Sequence, residues 1–122
     1  GEHYLCVAKS DEIKEGKGKQ IKLGEEYEEQ VAILRYCNKL YCLSNICPHR
    51  HLDSIYKGIL IDGKVICPEH GWTYDLATGL NVNPQKGIKS LQVYKVVEIE
   101  GFVFIPDIRF ELPRWKHYKV RR

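Results

Sequence analysis

Cys47 and His49 stand one residue apart, Cys67 and His70 two apart, and seventeen residues separate the two pairs. Thiolate sulfur is a soft ligand that suits zinc, copper(I) and iron–sulfur clusters, and neutral imidazole suits zinc and iron, so these four side chains restrict a metal site to few kinds. Zinc sites usually pair cysteine with cysteine about two to four residues apart and close on a similar histidine pair. Here each pair mixes one cysteine with one histidine. Mixed pairs on two loops suit a binuclear iron–sulfur cluster in which one iron takes both sulfurs and the other both imidazoles. A structural zinc ribbon is the alternative reading of the same four residues.

The flanking residues, CPHRHL from Cys47 and CPEHGWTYDLATG from Cys67, resemble the two cluster loops of the Rieske family, and the resemblance runs from about Tyr4 to Ile105. It implies an all-β Rieske fold of stacked antiparallel sheets, sandwich- or barrel-like, with a small cluster-binding subdomain over about 45–79. It also implies one [2Fe–2S] cluster, with Cys47 and Cys67 on the inner iron and His49 and His70 on the outer. Neutral imidazoles in place of two charged thiolates make such a cluster easier to reduce, which lifts Rieske centres above plant-type ferredoxins in potential. Rieske proteins of the respiratory and photosynthetic complexes add a loop disulfide and a serine after the second His-Gly. The corresponding residues here are Leu52, Glu69 and Trp72. No loop disulfide is expected, and one hydrogen bond that raises the potential is missing. Tyr74 occupies a position from which a hydroxyl reaches a ligand-cysteine sulfur.

Other residues near the loops have quieter readings. His51 follows His49 by two, but the C-x-H spacing selects His49 as ligand and leaves His51 beside the exposed edge of the cluster, where it bears on proton coupling or docking. Trp72 reads as a packing residue under its loop, Pro48 and Pro68 as stiffeners, and Arg50 as a surface charge. His3 and His117 read as solvated. Cys6, Cys37 and Cys42 remain as reduced thiols, which points to a reducing, cytoplasmic compartment. A Cys37–Cys42 disulfide is disfavoured, because the two do not face each other across their turn.

The elements that must position the ligands are strands. Tyr4 to Ala8, Gln20 to Leu23, Val31 to Tyr36 and Leu40 to Ser44 are apolar or β-branched runs, with Gly16-Lys17-Gly18 and Asn38-Lys39 as turns. The hairpin around Asn38-Lys39 leads into the first loop. Ile59 to Ile61 and Lys64 to Ile66 flank Asp62-Gly63, a strong hairpin signal, and deliver Cys67. Trp72 to Asp75 reads as a strand closed by Thr78-Gly79, and Leu91 to Ile99 alternates with period two before Glu100-Gly101 turns into Phe102 to Ile105. The acidic stretch Glu25 to Glu29 reads as an exposed loop.

The 122 residues suit one domain, 1–122. No apolar run of about eighteen residues suggests a membrane span, and no secretory leader is legible. The net charge of +3 is carried by a basic tail, 106–122, where six Arg and Lys oppose Asp107 and Glu111 for a net +4. Without a helix or aromatic sheet motif beside it, this charge does not mark a nucleic-acid face. The expected role is therefore that of a one-electron carrier, not itself an enzyme and without a small-molecule substrate. It would shuttle electrons from a flavin or iron–sulfur reductase to a terminal oxygenase or other redox enzyme. The alternatives are the front domain of a Rieske oxygenase and the small subunit of a nitrite reductase. The missing serine and disulfide predict a midpoint potential in the lower half of the Rieske range, about −150 to about +50 mV. A redox titration that places it above about +200 mV contradicts that expectation.

Overall fold

The computed structural model describes residues 3–48, 51–69, 71–82 and 89–107. The described residues form ten strands: β1 (Tyr4–Lys9), β2 (Gly18–Lys22), β3 (Gln30–Tyr36), β4 (Lys39–Ser44), β5 (Ile59–Ile61), β6 (Lys64–Ile66), β7 (Thr73–Asp75), β8 (Val93–Tyr94), β9 (Val97–Ile99) and β10 (Phe102–Pro106). They make three antiparallel sheets, ordered β1-β10-β9, β2-β3-β4-β8 and β5-β6-β7. The all-β expectation holds. Two single 3-10 turns, Ser10–Glu12 and Ile55–Lys57, are the helical pieces among the described residues, and no helix there is long and apolar enough to cross a membrane.

Strand β3 explains the layering. Its residues Gln30 to Leu34 are all buried, because both faces of the middle sheet are covered. Val31 and Ile33 join Leu40 and Cys42 of β4 in one core, against Ala8, Val103 and Ile105 of the β1-β10-β9 sheet. Ala32 and Leu34 join Leu43 in a second core, with Val65, Tyr74, Trp72 and both loop cysteines. Each fully buried aliphatic side chain removes apolar area from water worth roughly 1.5–3 kcal/mol.

Three two-residue hairpin turns have both central residues at positive φ, as a type I′ turn requires: Cys37-Asn38 (52° and 63°), Asp62-Gly63 (53° and 74°) and Glu100-Gly101 (51° and 87°). The last two match the sequence reading. The first is shifted by one residue, since Tyr36 pairs with Lys39 and the turn is Cys37-Asn38, not Asn38-Lys39. A contact from outside the hairpin supports this turn. The Glu15 carboxylate accepts the amide protons of Cys37 (2.6 Å) and Asn38 (2.8 Å), which holds a cysteine in a conformation it does not favour.

A second correction concerns Leu91 to Ile99, which alternates as one strand but serves two sheets. Val93 and Tyr94 pair with β4, whereas Val97 to Ile99 pair with β10. Alternation reports which face a side chain takes and not which strand it bonds to, so the change of partner at Lys95-Val96 leaves the pattern unbroken. Similarly, β2 begins at Gly18 and ends at Lys22, and Leu23 turns away to bond the Glu29 carbonyl (2.7 Å).

Arg35 ties these layers together. Its guanidinium donates to the carbonyls of Ile13 (2.7 Å) and Ser10 (3.1 Å) and to the Glu98 carboxylate (2.8 Å). That hydrogen bond holds the Glu98 carboxyl below its usual range. A depressed carboxyl pKa adds stability above the unfolded value, near pH 4.3, and loses it as pH falls through the lower folded value. Glu98→Gln is accordingly expected to unfold more readily than the wild-type chain at pH 7, with the difference shrinking in urea titrations as pH falls below the ordinary carboxyl range, about 4.3, and on through the lower folded value.

Candidate metal centre

Strand β4 feeds the first cysteine loop and β6 the second, and the two loops are closed alike. The Cys47 amide donates to the Leu52 carbonyl (2.9 Å) and the His51 amide to the Cys47 carbonyl (2.7 Å). The Cys67 amide donates to the Trp72 carbonyl (2.7 Å) and the Gly71 amide to the Cys67 carbonyl (3.0 Å). In both loops the residue four after the cysteine has positive φ, 56° at His51 and 74° at Gly71. Glycine adopts this backbone freely, but at a histidine it costs about 1–2 kcal/mol. Tyr27 helps to offset that cost, its hydroxyl donating to the His51 carbonyl (2.8 Å).

Cys47 and Cys67 are each 1% exposed and share one core with Trp72 and the fully buried Tyr74. Each sulfur meets a hydroxyl. Tyr74 Oη lies 3.7 Å from Cys47 Sγ, and Ser54 Oγ lies 3.4 Å from Cys67 Sγ. Burial pushes the Tyr74 phenol well above its ordinary range, and the contact with Cys47 and the charges of both cysteines push the same way. The phenol therefore keeps its proton and remains a donor. A metal-bound thiolate carries no proton, so in that state the hydroxyls donate to sulfur. Two buried sulfurs, each facing a hydroxyl, fit the thiolate half of an iron–sulfur centre.

Behind the first loop lies a polar network that the sequence reading missed. Asn45, fully buried, donates from Nδ2 to Gln30 Oε1 (2.7 Å) and the Asp53 carbonyl (3.2 Å) and accepts the Tyr56 amide at Oδ1 (2.8 Å). Gln20 Nε2 donates to Gln30 Oε1 (2.7 Å) and the Asp53 carboxylate (3.2 Å), and Gln30 Nε2 to the Tyr27 carbonyl (2.7 Å). Buried amides demand partners, and these fix the loop to β2 and β3. Gln20 and Gln30 in strands, and Asn45 just beyond β4, carry no local signal of such contacts. Tyr27 had one, as the lone aromatic in an acidic run.

Of the sequence-assigned residues, the structure brings together Cys47, Cys67, Tyr74 and Trp72. Trp72 is buried beneath its loop, as expected of a packing residue. Pro68 is exposed, as is His51. His49, Arg50, His70 and residues 108–122, which include His117 and most of the basic tail, lie outside the described residues. Among the described residues no three His, Cys, Asp or Glu side chains converge as a metal-binding group. All five cysteines are free, in keeping with the absence of a loop disulfide. Burial alone pushes the Cys42 thiol up to about 12, whereas Cys6 and Cys37 are exposed.

The Rieske [2Fe-2S] domain family model matches residues 3–95. The chain belongs to the Rieske family. The Rieske domain is 35% identical over 111 residues to the carbazole 1,9a-dioxygenase terminal oxygenase component CarAa of Metapseudomonas resinovorans. That match takes in 84% of the chain but spans only 28% of the relative's length. Two solved structures share the fold at 21% identity. A Sphingomonas yanoikuyae B1 ferredoxin superposes with a TM-score of 0.71 over 85% of this chain and 98% of its own. A putative NADH-dependent nitrite reductase small subunit from Mycobacterium tuberculosis gives 0.73 over 87% and 96%. The cofactor of this Rieske domain is a Rieske-type [2Fe–2S] cluster, and its chemistry is electron transfer. Replacing Tyr74 by Phe should leave the cluster in place and lower its midpoint potential by about 30–60 mV, the differential worth of one hydrogen bond to a charged sulfur. Spectroelectrochemical titration of the two proteins measures the shift.

Proposed function

We propose that this Rieske domain is a one-electron carrier in which Cys47 and Cys67 hold one iron as thiolates and His49 and His70 hold the other through imidazole nitrogen. When bound, the cluster supplies a single reversible electron and no bond-making chemistry. The observation that carries the reading is the pair of buried sulfurs at equivalent positions of two like-closed loops, each facing a hydroxyl donor. The chain's own residues have separable tasks. The loop hydrogen bonds orient the two cysteines, Trp72 and Tyr74 exclude water beneath them, and the polar network holds the first loop against β2 and β3.

In this reading the electron arrives from a flavin or iron–sulfur reductase and leaves for a terminal oxygenase or other redox enzyme, with substrate chemistry occurring there. The basic segment 106–122 favours a partner with an acidic docking patch. The 35% identity to an oxygenase component supports a second reading, in which the domain feeds a mononuclear iron in the same polypeptide. The natural reading frame separates the two: a further catalytic domain after residue 122 selects the oxygenase, and a stop near it selects the free carrier.

Purified protein should be red-brown, contain about two irons and two sulfides per chain, and become EPR-active on reduction. A colourless protein holding one zinc overturns the proposal. Transfer to the terminal partner should slow steeply with added salt, and removal of the chain after Pro106 should remove most of that dependence. Transfer that ignores ionic strength argues against the acidic docking patch.

A further inference from the structure

Ser54 immediately precedes the 3-10 turn Ile55–Lys57 with its backbone already in the helical region (φ −118°, ψ −1°), and its side chain does not cap the turn. The side chain is 2% exposed, so its hydroxyl has almost no access to bulk water. The hydroxyl lies 3.4 Å from Cys67 Sγ, across thirteen residues of sequence and from the opposite loop. A buried hydroxyl left without a partner is costly, and the contact with sulfur is what satisfies this one.

From this geometry we infer that Ser54 tunes the cluster, donating its hydroxyl proton to the Cys67 thiolate and stabilising the reduced state over the oxidised one. The inference rests on Cys67 being a cluster ligand, as proposed above. Reduction adds one electron to the cluster and takes no proton from Ser54. The extra negative charge is shared by the thiolate sulfurs, so a hydroxyl dipole aimed at one of them strengthens in the reduced state. Together with Tyr74 on Cys47, Ser54 gives each cysteine sulfur one hydroxyl, supplied from the other loop's side of the site in both cases. Ser54 is a positioning and tuning residue. It does not itself accept or pass the electron.

The test compares midpoint potentials of cluster-loaded wild-type protein with Ser54→Ala and Ser54→Thr, with iron and sulfide content measured on each. Ser54→Ala should retain the cluster and its EPR signal while the reduced-to-oxidised ratio at fixed applied potential falls about tenfold, a shift of about 59 mV downward for a one-electron couple. Ser54→Thr, which keeps the hydroxyl, should restore most of it. Should the alanine variant fail to take up the cluster, Ser54→Thr is compared with the isosteric Ser54→Val, which differs only in the hydroxyl. A potential unchanged between hydroxyl-bearing and hydroxyl-free variants overturns the inference and leaves the carrier function intact. Wild-type protein without iron or sulfide overturns the carrier function itself.

Discussion

A thiolate buried in an apolar core is expensive unless a metal or hydrogen-bond donors take its charge. The two loop cysteines meet that constraint in a way that a third buried cysteine does not. Cys42, 2% exposed, sits among aliphatic side chains of the outer core, and burial pushes its thiol up to about 12, so it stays neutral and inert. Cys47 and Cys67 are buried at least as deeply, yet each faces a hydroxyl. The hairpins, the loop closures and the Asn45 network are arranged around keeping those two sulfurs dry and directed.

The division of labour between backbone and side chains follows from the same constraint. Backbone hydrogen bonds give the loops their shape, alike in both, whereas the two loops differ in what secures them. Gly71 takes its left-handed conformation without side-chain strain, while His51, in the same conformation, has the Tyr27 hydroxyl on its carbonyl. The first loop is also the one bound by buried amides to β2 and β3. The second is carried by the short β5-β6-β7 sheet, whose core side packs Val65 and Tyr74 against the same apolar cluster.

Part of this was legible because its signals are local: Asp62-Gly63 and Glu100-Gly101 are turns written in adjacent residues, and the spacing of the two Cys/His pairs carried the family resemblance within a few residues each. Tyr74 was legible through the resemblance of its loop to known ones. What escaped was non-local. Ser54 reaches its sulfur across thirteen residues, Tyr27 reaches His51 across twenty-four, and Gln20 reaches Asp53 across thirty-three. Glu15 holds the Cys37 amide of a turn twenty-two residues away. Alternation in Leu91 to Ile99 was read as one strand, but it holds no information on where the strand breaks or which sheet each half joins.

Strand β3 has a consequence of its own. Its even-numbered residues, Gln30, Ala32 and Leu34, face the cysteine loops, and its odd-numbered ones, Val31, Ile33 and Arg35, face the outer sheet. One strand is therefore a party wall between two rooms. A change in side-chain volume is felt on one side or the other according to its parity: an odd-numbered substitution presses on the outer sheet, an even-numbered one on the core that holds the two loop cysteines.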